Sequence, residues 1–99
     1  MDLNFDKILH QPHRAEIMRL LVHEGTVSFQ VLKEEFEFTD GNLSTHLHTL
    51  EKAKYVSLEK IYENNRPKTI VKITPKGEES FETYVEEIKK FIQKYEIVN

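Results

Sequence analysis

Apolar residues recur at helical spacing through most of this chain and at alternating spacing in one short region. Asn4 to Glu24 has the first helical pattern. Ile17, Leu20 and Leu21 fall at i, i+3 and i+4, with Ala15 and Met18 beside them. Gln11-Pro12 marks a possible break, because proline suits a first helical turn and the main helix can begin there. Gly25 ends the pattern, and Thr26-Val27 has the composition of a very short strand. Ser28 is then a good N-cap, with Val27 before it and Leu32 four positions after it, the arrangement of a hydrophobic staple. Phe29, Leu32 and Phe36 give the buried face of a short second helix. The same grammar repeats at Thr39, flanked by Phe38 and Leu43. Val56 to Tyr62 and Thr69 to Ile73 alternate as strands, joined by a loop from Glu63 to Lys68. Within that loop Asn64 and Asn65 suit a turn, while Pro67 opposes strand pairing. Thr74-Pro75 restarts a helix with a cap and a first-turn proline. Phe81, Tyr84, Ile88, Phe91, Tyr95 and Val98 follow at spacings of three and four, with Val85 and Ile92 widening the stripe.

Two capped helices separated by Glu37-Phe38 fit either a helix-turn-helix or an ordinary helical hairpin in a bundle. The third helix carries the more telling face. Leu43, Leu47 and Leu50 mark its core side. Gly41, Thr45, His48, Thr49 and Lys52 lie opposite, and Asn42 and Ser44 sit at the sides. This outer face is small, polar and uncharged until its end, where a merely solvated helix carries more Glu and Lys. Its side chains are of the kinds that bond base edges and phosphates.

Composition narrows the class. The chain has 99 residues, 31% charged and 38% apolar, which suits one globular domain over residues 1–99. No apolar run approaches the ~18 residues of a membrane span, and Asp2, Asp6 and His10 interrupt any leader-like opening. Cysteine is absent, so no disulfide framework or thiolate metal site is available. Cytoplasmic residence is the resulting expectation. The net charge is −3, but its distribution is uneven. Lys52, Lys54, Lys60, Arg66, Lys68, Lys72 and Lys76 are opposed only by Glu59 and Glu63 within that segment. Acidic residues crowd 34–40 and 78–87 instead.

The ordered set PHRAEIMRLL, NLSTHLHTLEKAKYV and RPKTIVKITPKGEESF, with short spacers, resembles the compact stand-alone winged helix-turn-helix regulators of the MarR/ArsR-like group. The resemblance runs from His10 to about Tyr84. It implies a mostly α fold with a small β-hairpin, in the order helix, short strand, helix, helix, strand, wing, strand, helix. It also implies a homodimer that sets two recognition helices in successive major grooves of double-stranded DNA. The recognition helix would offer Thr39, Gly41, Asn42, Ser44, Thr45, His48, Thr49 and Lys52. The wing would offer Asn65, Arg66 and Lys68, with Arg66 suited to a narrow minor groove and Lys68 to phosphate. N- and C-terminal helices would form the dimer interface through Phe5, Ile8, Leu9, Phe81, Tyr84, Val85, Ile88, Phe91, Ile92 and Tyr95, with Leu3 adjoining. Two departures from the group matter. Asp40 and His48 stand where Arg or Lys is common. Lys54 stands where a glycine usually turns the helix into the strand, a change costing ~1–2 kcal/mol in a left-handed conformation.

Other chemistries fit less well. There is no glycine-rich phosphate loop, nucleophile elbow or Cys/His pair, so catalysis is not expected. His10 and His13 could share a face with Asp6, but His46 and His48 diverge on a helix, and no four-ligand set emerges. No metal or cofactor is therefore expected, and no effector pocket is legible. The competing reading is a winged helix that binds protein rather than DNA, favoured by the acidic balance and opposed by the basic wing.

Overall fold

The computed structural model describes residues 4–98, with side chains through Glu96. In chain order it contains α1 (Pro12–Glu24), β1 (Thr26–Ser28), α2 (Phe29–Phe36), α3 (Asp40–Lys52), β2 (Val56–Glu63), β3 (Arg66–Ile73) and α4 (Pro75–Val98). This is the winged-helix order expected from the sequence. The three strands form one antiparallel sheet in the order β1-β3-β2.

Local chemistry sets most element boundaries. The Gln11 side chain caps α1 by accepting from the Arg14 N–H, and Pro12 occupies the first turn. Gly25 ends that helix at φ 79°, where its N–H reaches the Leu21 carbonyl. Ser28 caps α2 through the Val31 N–H, and Thr39 caps α3 through the Asn42 N–H. The core is assembled from Ile17, Met18 and Leu21 of α1, Leu32 of α2, Leu43, Leu47 and Leu50 of α3, and Val71 of β3. All are essentially inaccessible to solvent, so α3 is held on its apolar side with its polar side outward.

The expected N-terminal helix is absent among the described residues before Pro12. Residues 7–9 make a single turn instead. The Asp6 carboxylate accepts from the Ile8 and Leu9 N–H groups and also receives the Tyr55 hydroxyl. Asp6 caps this turn much as Ser28 and Thr39 cap their helices, and the turn stops because Gln11, ahead of Pro12, is extended at φ −145° and ψ 121°. Leu9 is fully buried in the protomer core, and Tyr84 is 7% exposed, so most of the surface of both is already used within one protomer. Leu3 lies outside the described residues.

The corner after α3 takes the conformation that the sequence disfavours. Lys54 adopts φ 67°, in the left-handed region. Its carbonyl is held by the Thr74 hydroxyl at 2.7 Å, and that same oxygen accepts from the Gly77 N–H. The side chain is exposed, so the backbone alone dictates this site. Replacing Lys54 with Gly should stabilise the fold by about 1 kcal/mol after the entropy lost to glycine is counted. Thermal unfolding should rise by roughly 4–8 °C, and an unchanged or lower midpoint would contradict the strain argument.

The wing is tighter than the sequence suggested. Only Asn64 and Asn65 connect the strands, at φ 53° and 62°. Two successive positive φ values define the two-residue turn whose twist matches a hairpin. Arg66, Pro67 and Lys68 therefore belong to β3 rather than to a loop. Proline fits because Glu63 faces Arg66 as the closing pair and Tyr62 faces Pro67 next. In such a hairpin the closing pair exchanges hydrogen bonds and the next pair does not. The missing N–H of Pro67 thus points to the open edge, beyond β1, which ends opposite Ile70.

Candidate nucleic-acid interface

The apolar side of α3 fixes which residues it can present. Gly41, Asn42, Thr45, His48 and Lys52 are exposed, while Ser44 and Thr49 are half-buried at the flanks. Two hydroxyls are already engaged: Thr45 donates to the Gly41 carbonyl at 3.0 Å and Thr49 to the Thr45 carbonyl at 3.1 Å. Each therefore presents lone pairs and a methyl group outward. Those suit the amino groups of adenine or cytosine and the methyl of thymine. Thr39 is exposed, and its hydroxyl oxygen accepts the cap bond from the Asn42 N–H.

Charge on this face is adjusted by neighbours. Asp40, unfavourable near phosphate, lies 2.8 Å from the Lys33 ammonium of α2. Sequence reasoning missed Lys33, because the pair joins two helices across the turn. The His48 ring stands 3.8 Å from Glu51, a contact that becomes ionic when the ring is protonated. His46 faces inward between α1 and α3. Its Nδ1 accepts from the Arg14 guanidinium at 3.3 Å. Burial, then the Arg14 charge, then His13, push its pKa below the usual imidazole value. His46 helps seat α3, together with the rings of His13 and Phe38.

An open depression of about 760 Å³ lies between α2, α3 and the wing, with Ser44, His48 and the carboxylates of Asp40 and Glu51 on the α3 side and Lys60 and Thr69 on the wing side. The wing residues divide between the two faces of the hairpin. Val56, Leu58, Lys60 and Tyr62 alternate onto one face with Pro67, Thr69, Val71 and Ile73. Arg66 and Lys68 are on the other, with Glu59 and Glu63. Lys68 is half-buried and 3.4 Å from Glu63. Asn65 is in the turn itself. Lys60 and Tyr62 were not singled out as site residues, and only the exact register places them on the face opposite Arg66 and Lys68.

An exposed polar helix face beside a protruding two-stranded wing is the geometry for laying a helix in a major groove. Residues 13–92 match the winged helix DNA-binding domain family. The chain belongs to that family. An uncharacterised protein of Methanocaldococcus jannaschii is 42% identical over 82 residues, spanning 83% of this chain and 89% of its own. The structure of a transcriptional regulator homologue from Pyrococcus horikoshii OT3 superposes with a TM-score of 0.84 at 31% identity, over 89% of this chain and 87% of that one. NadR, solved in complex with 4-hydroxyphenylacetate, gives 0.70 at 30% identity, over 92% and 67%. This winged helix therefore resembles MarR-like transcriptional regulators in both fold and sequence. Among the described residues, no group of three or more His, Cys, Asp or Glu could hold a metal ion. No described helix is long and apolar enough to cross a membrane.

Helix α4 runs past the domain. It has 24 residues, about 36 Å at 1.5 Å per residue, and the molecule measures 58 × 26 × 21 Å. Phe81, Val85 and Ile88 are half-buried, Phe81 and Ile88 against the core. Farther along, Phe91 is 50%, Ile92 47% and Tyr95 65% exposed. The N-terminal segment packs on this helix through Phe5, which stacks on His10 and meets Tyr84 and Phe91 edge-on. Ile8 is half-buried against the core. The side chain of Val98, which the sequence pattern adds to the stripe, lies outside the described residues.

Proposed function

We propose that this protein is a transcriptional regulator that binds double-stranded DNA sequence-specifically as a homodimer, and that it acts as a repressor. The observation that carries the reading is α3: its polar, nearly uncharged face is exposed while its apolar face is locked into the core. The family match and the regulator neighbours support the same conclusion. The distal surface of α4, with Phe91, Ile92 and Tyr95, supports dimerisation through that helix, joined by Val85, Ile88 and the Phe5–Ile8 segment. Two copies so joined would offer two recognition helices to half-sites about one helical turn apart. A dimer seated on a promoter would block access to it, and that is the basis for proposing repression. Cytoplasmic residence is consistent with this role.

Thr45 and His48 are proposed as base-reading residues, with Asn42, Ser44 and Thr49 around them. Gly41 permits close approach, and Lys52 meets backbone at the end of the helix. Arg66, at the wing tip and outside every ion pair among the described residues, is proposed to reach the flanking minor groove. Asn65 adjoins it. Lys68 is a weaker candidate because it faces away from α3 and already has Glu63.

The test is selection of a binding site from a randomised duplex pool, followed by titration of Thr45→Ala and His48→Ala against it. Each variant should lose about 1–3 kcal/mol of discrimination between the selected and altered site, with unfolding temperature unchanged. Full affinity and selectivity in both variants would remove α3 as the reader. Absence of any salt-dependent DNA binding by the wild type would favour the protein-binding alternative.

A further inference from the structure

The two faces of the wing differ in chemistry as well as in direction. The outer face mixes Lys68 and Arg66 with Glu59 and Glu63. The inner face continues from the core through Leu58, then Lys60 opposite Thr69, then Tyr62 opposite Pro67, and it carries no carboxylate. Lys60 takes part in no ion pair among the described residues, whereas Lys68 is engaged by Glu63. Lys60 and Thr69 look across the depression at Ser44 and His48 of α3. Tyr62 is 77% exposed, more than any other large apolar residue described.

Reach agrees with direction. Four residues of strand separate Leu58, at the margin of the core, from Tyr62, which is about 14 Å at ~3.4 Å per residue. The major groove that would receive α3 is ~12 Å wide. A wing of this length clears the groove wall and arrives at the sugar–phosphate strand beside it.

Building on the DNA-binding reading, we propose that the wing meets duplex DNA with its inner face, where Lys60 neutralises a phosphate and the Tyr62 ring packs on the adjoining backbone. Tyr62 is then an uncharged contact that fixes where the wing sits, and Lys60 supplies the salt-dependent part. Pro67 and the two-residue turn fix the backbone that carries Tyr62 before DNA arrives, so little backbone ordering is required on binding. A purely structural role is the competing explanation: Tyr62 could serve only to cover Pro67 across the hairpin.

The experiment uses the full chain and mixed-sequence duplex DNA at several salt concentrations. Lys60→Ala should flatten the slope of log affinity against log salt by about 0.9, the value for one phosphate, while Lys68→Ala leaves it unchanged. Tyr62→Ala should weaken binding about tenfold at every salt concentration with the slope preserved. Tyr62→Phe, which keeps the ring, should retain most of the affinity. DNA should also protect Tyr62 from iodination, read residue by residue by mass spectrometry. A structural role would lower the unfolding temperature of Tyr62→Ala and give no protection. Binding by the wild type with an unprotected Tyr62, or a slope lost in Lys68→Ala and kept in Lys60→Ala, would overturn this proposal alone. Absence of wild-type binding at low salt would overturn it together with the DNA-binding reading.

Discussion

Replacing Phe91 and Ile92 together by serine should convert the protein to a monomer and weaken its binding to a selected DNA site by about two orders of magnitude or more. Both side chains are close to half exposed in the single protomer. Fully burying a side chain of this size is worth about 1.5–3 kcal/mol, so the exposed half retains about 1 kcal/mol for a partner. Four such side chains meet in a two-fold dimer, which makes about 4 kcal/mol, nearly a thousandfold in the dissociation constant of the dimer. A monomer keeps its recognition helix but loses the second half-site, and with it the advantage of the linked contact. The fold should survive, because neither residue belongs to the buried core. Sedimentation and DNA titration at one protein concentration test both parts. A wild type that is monomeric at micromolar concentration, or a variant that stays dimeric, would refute the assignment of α4.

The parts of this interface that rest on local chemistry were legible in the sequence. Ser28, Thr39 and Pro12 announce their helices because a cap is decided within four residues. Leu43, Leu47 and Leu50 point α3 correctly, because a helical period needs only one turn to declare a face. What was missed depends on partners distant in the chain. Asp6 receives the Tyr55 hydroxyl across 49 positions, and no pattern near Asp6 forecasts it. The break before Pro12 is local instead, since Gln11 is extended ahead of the proline. Lys33 beside Asp40 is likewise a tertiary meeting.

The wing was misjudged for a different reason. Pro67 signals a break in pairing, and that signal is sound for a proline whose N–H would be used. Here the register makes its N–H unnecessary, and one residue of register decides it. Asn64-Asn65 was the available clue: two adjacent residues tolerant of positive φ permit the tightest hairpin. Taken that way, the turn fixes Glu63 opposite Arg66, and the separation of Lys60 and Tyr62 from Arg66 and Lys68 follows by alternation. Lys54 shows the opposite limit. The departure from glycine was visible, and its local cost was evident. The Thr74 hydroxyl that receives no credit in the sequence holds the corner regardless.

Gly77→Ala should destabilise the protein by about 3 kcal/mol or more, the upper range for overpacking, and lower its unfolding temperature by roughly 12–24 °C. The residue is in the first turn of α4, and a Cβ built there would stand 2.2 Å from the Tyr55 carbonyl oxygen and 3.1 Å from Ile73 Cγ1. Neither side can yield cheaply. The Tyr55 carbonyl accepts from the Thr74 N–H at 3.1 Å, and the Tyr55 N–H is bonded to the Leu50 carbonyl at 3.0 Å. Relief therefore requires α4 to lift from the corner, with loss of the Thr74 bonds that join that helix to the end of α3. Because α4 carries the proposed dimer surface, the same movement would alter the spacing of the two recognition helices. Gly41→Ala supplies the control. A Cβ there meets nothing within 4 Å, and alanine gains up to about 1 kcal/mol over glycine inside a helix. The two substitutions are the same chemical change with opposite predicted signs, so thermal unfolding of both variants separates crowding from propensity. Equal shifts in the two would show that α4 is not pressed against the Tyr55 corner. A Gly41→Ala variant that melts higher yet binds DNA more weakly would place the closest approach of the duplex at the N-terminal turn of α3.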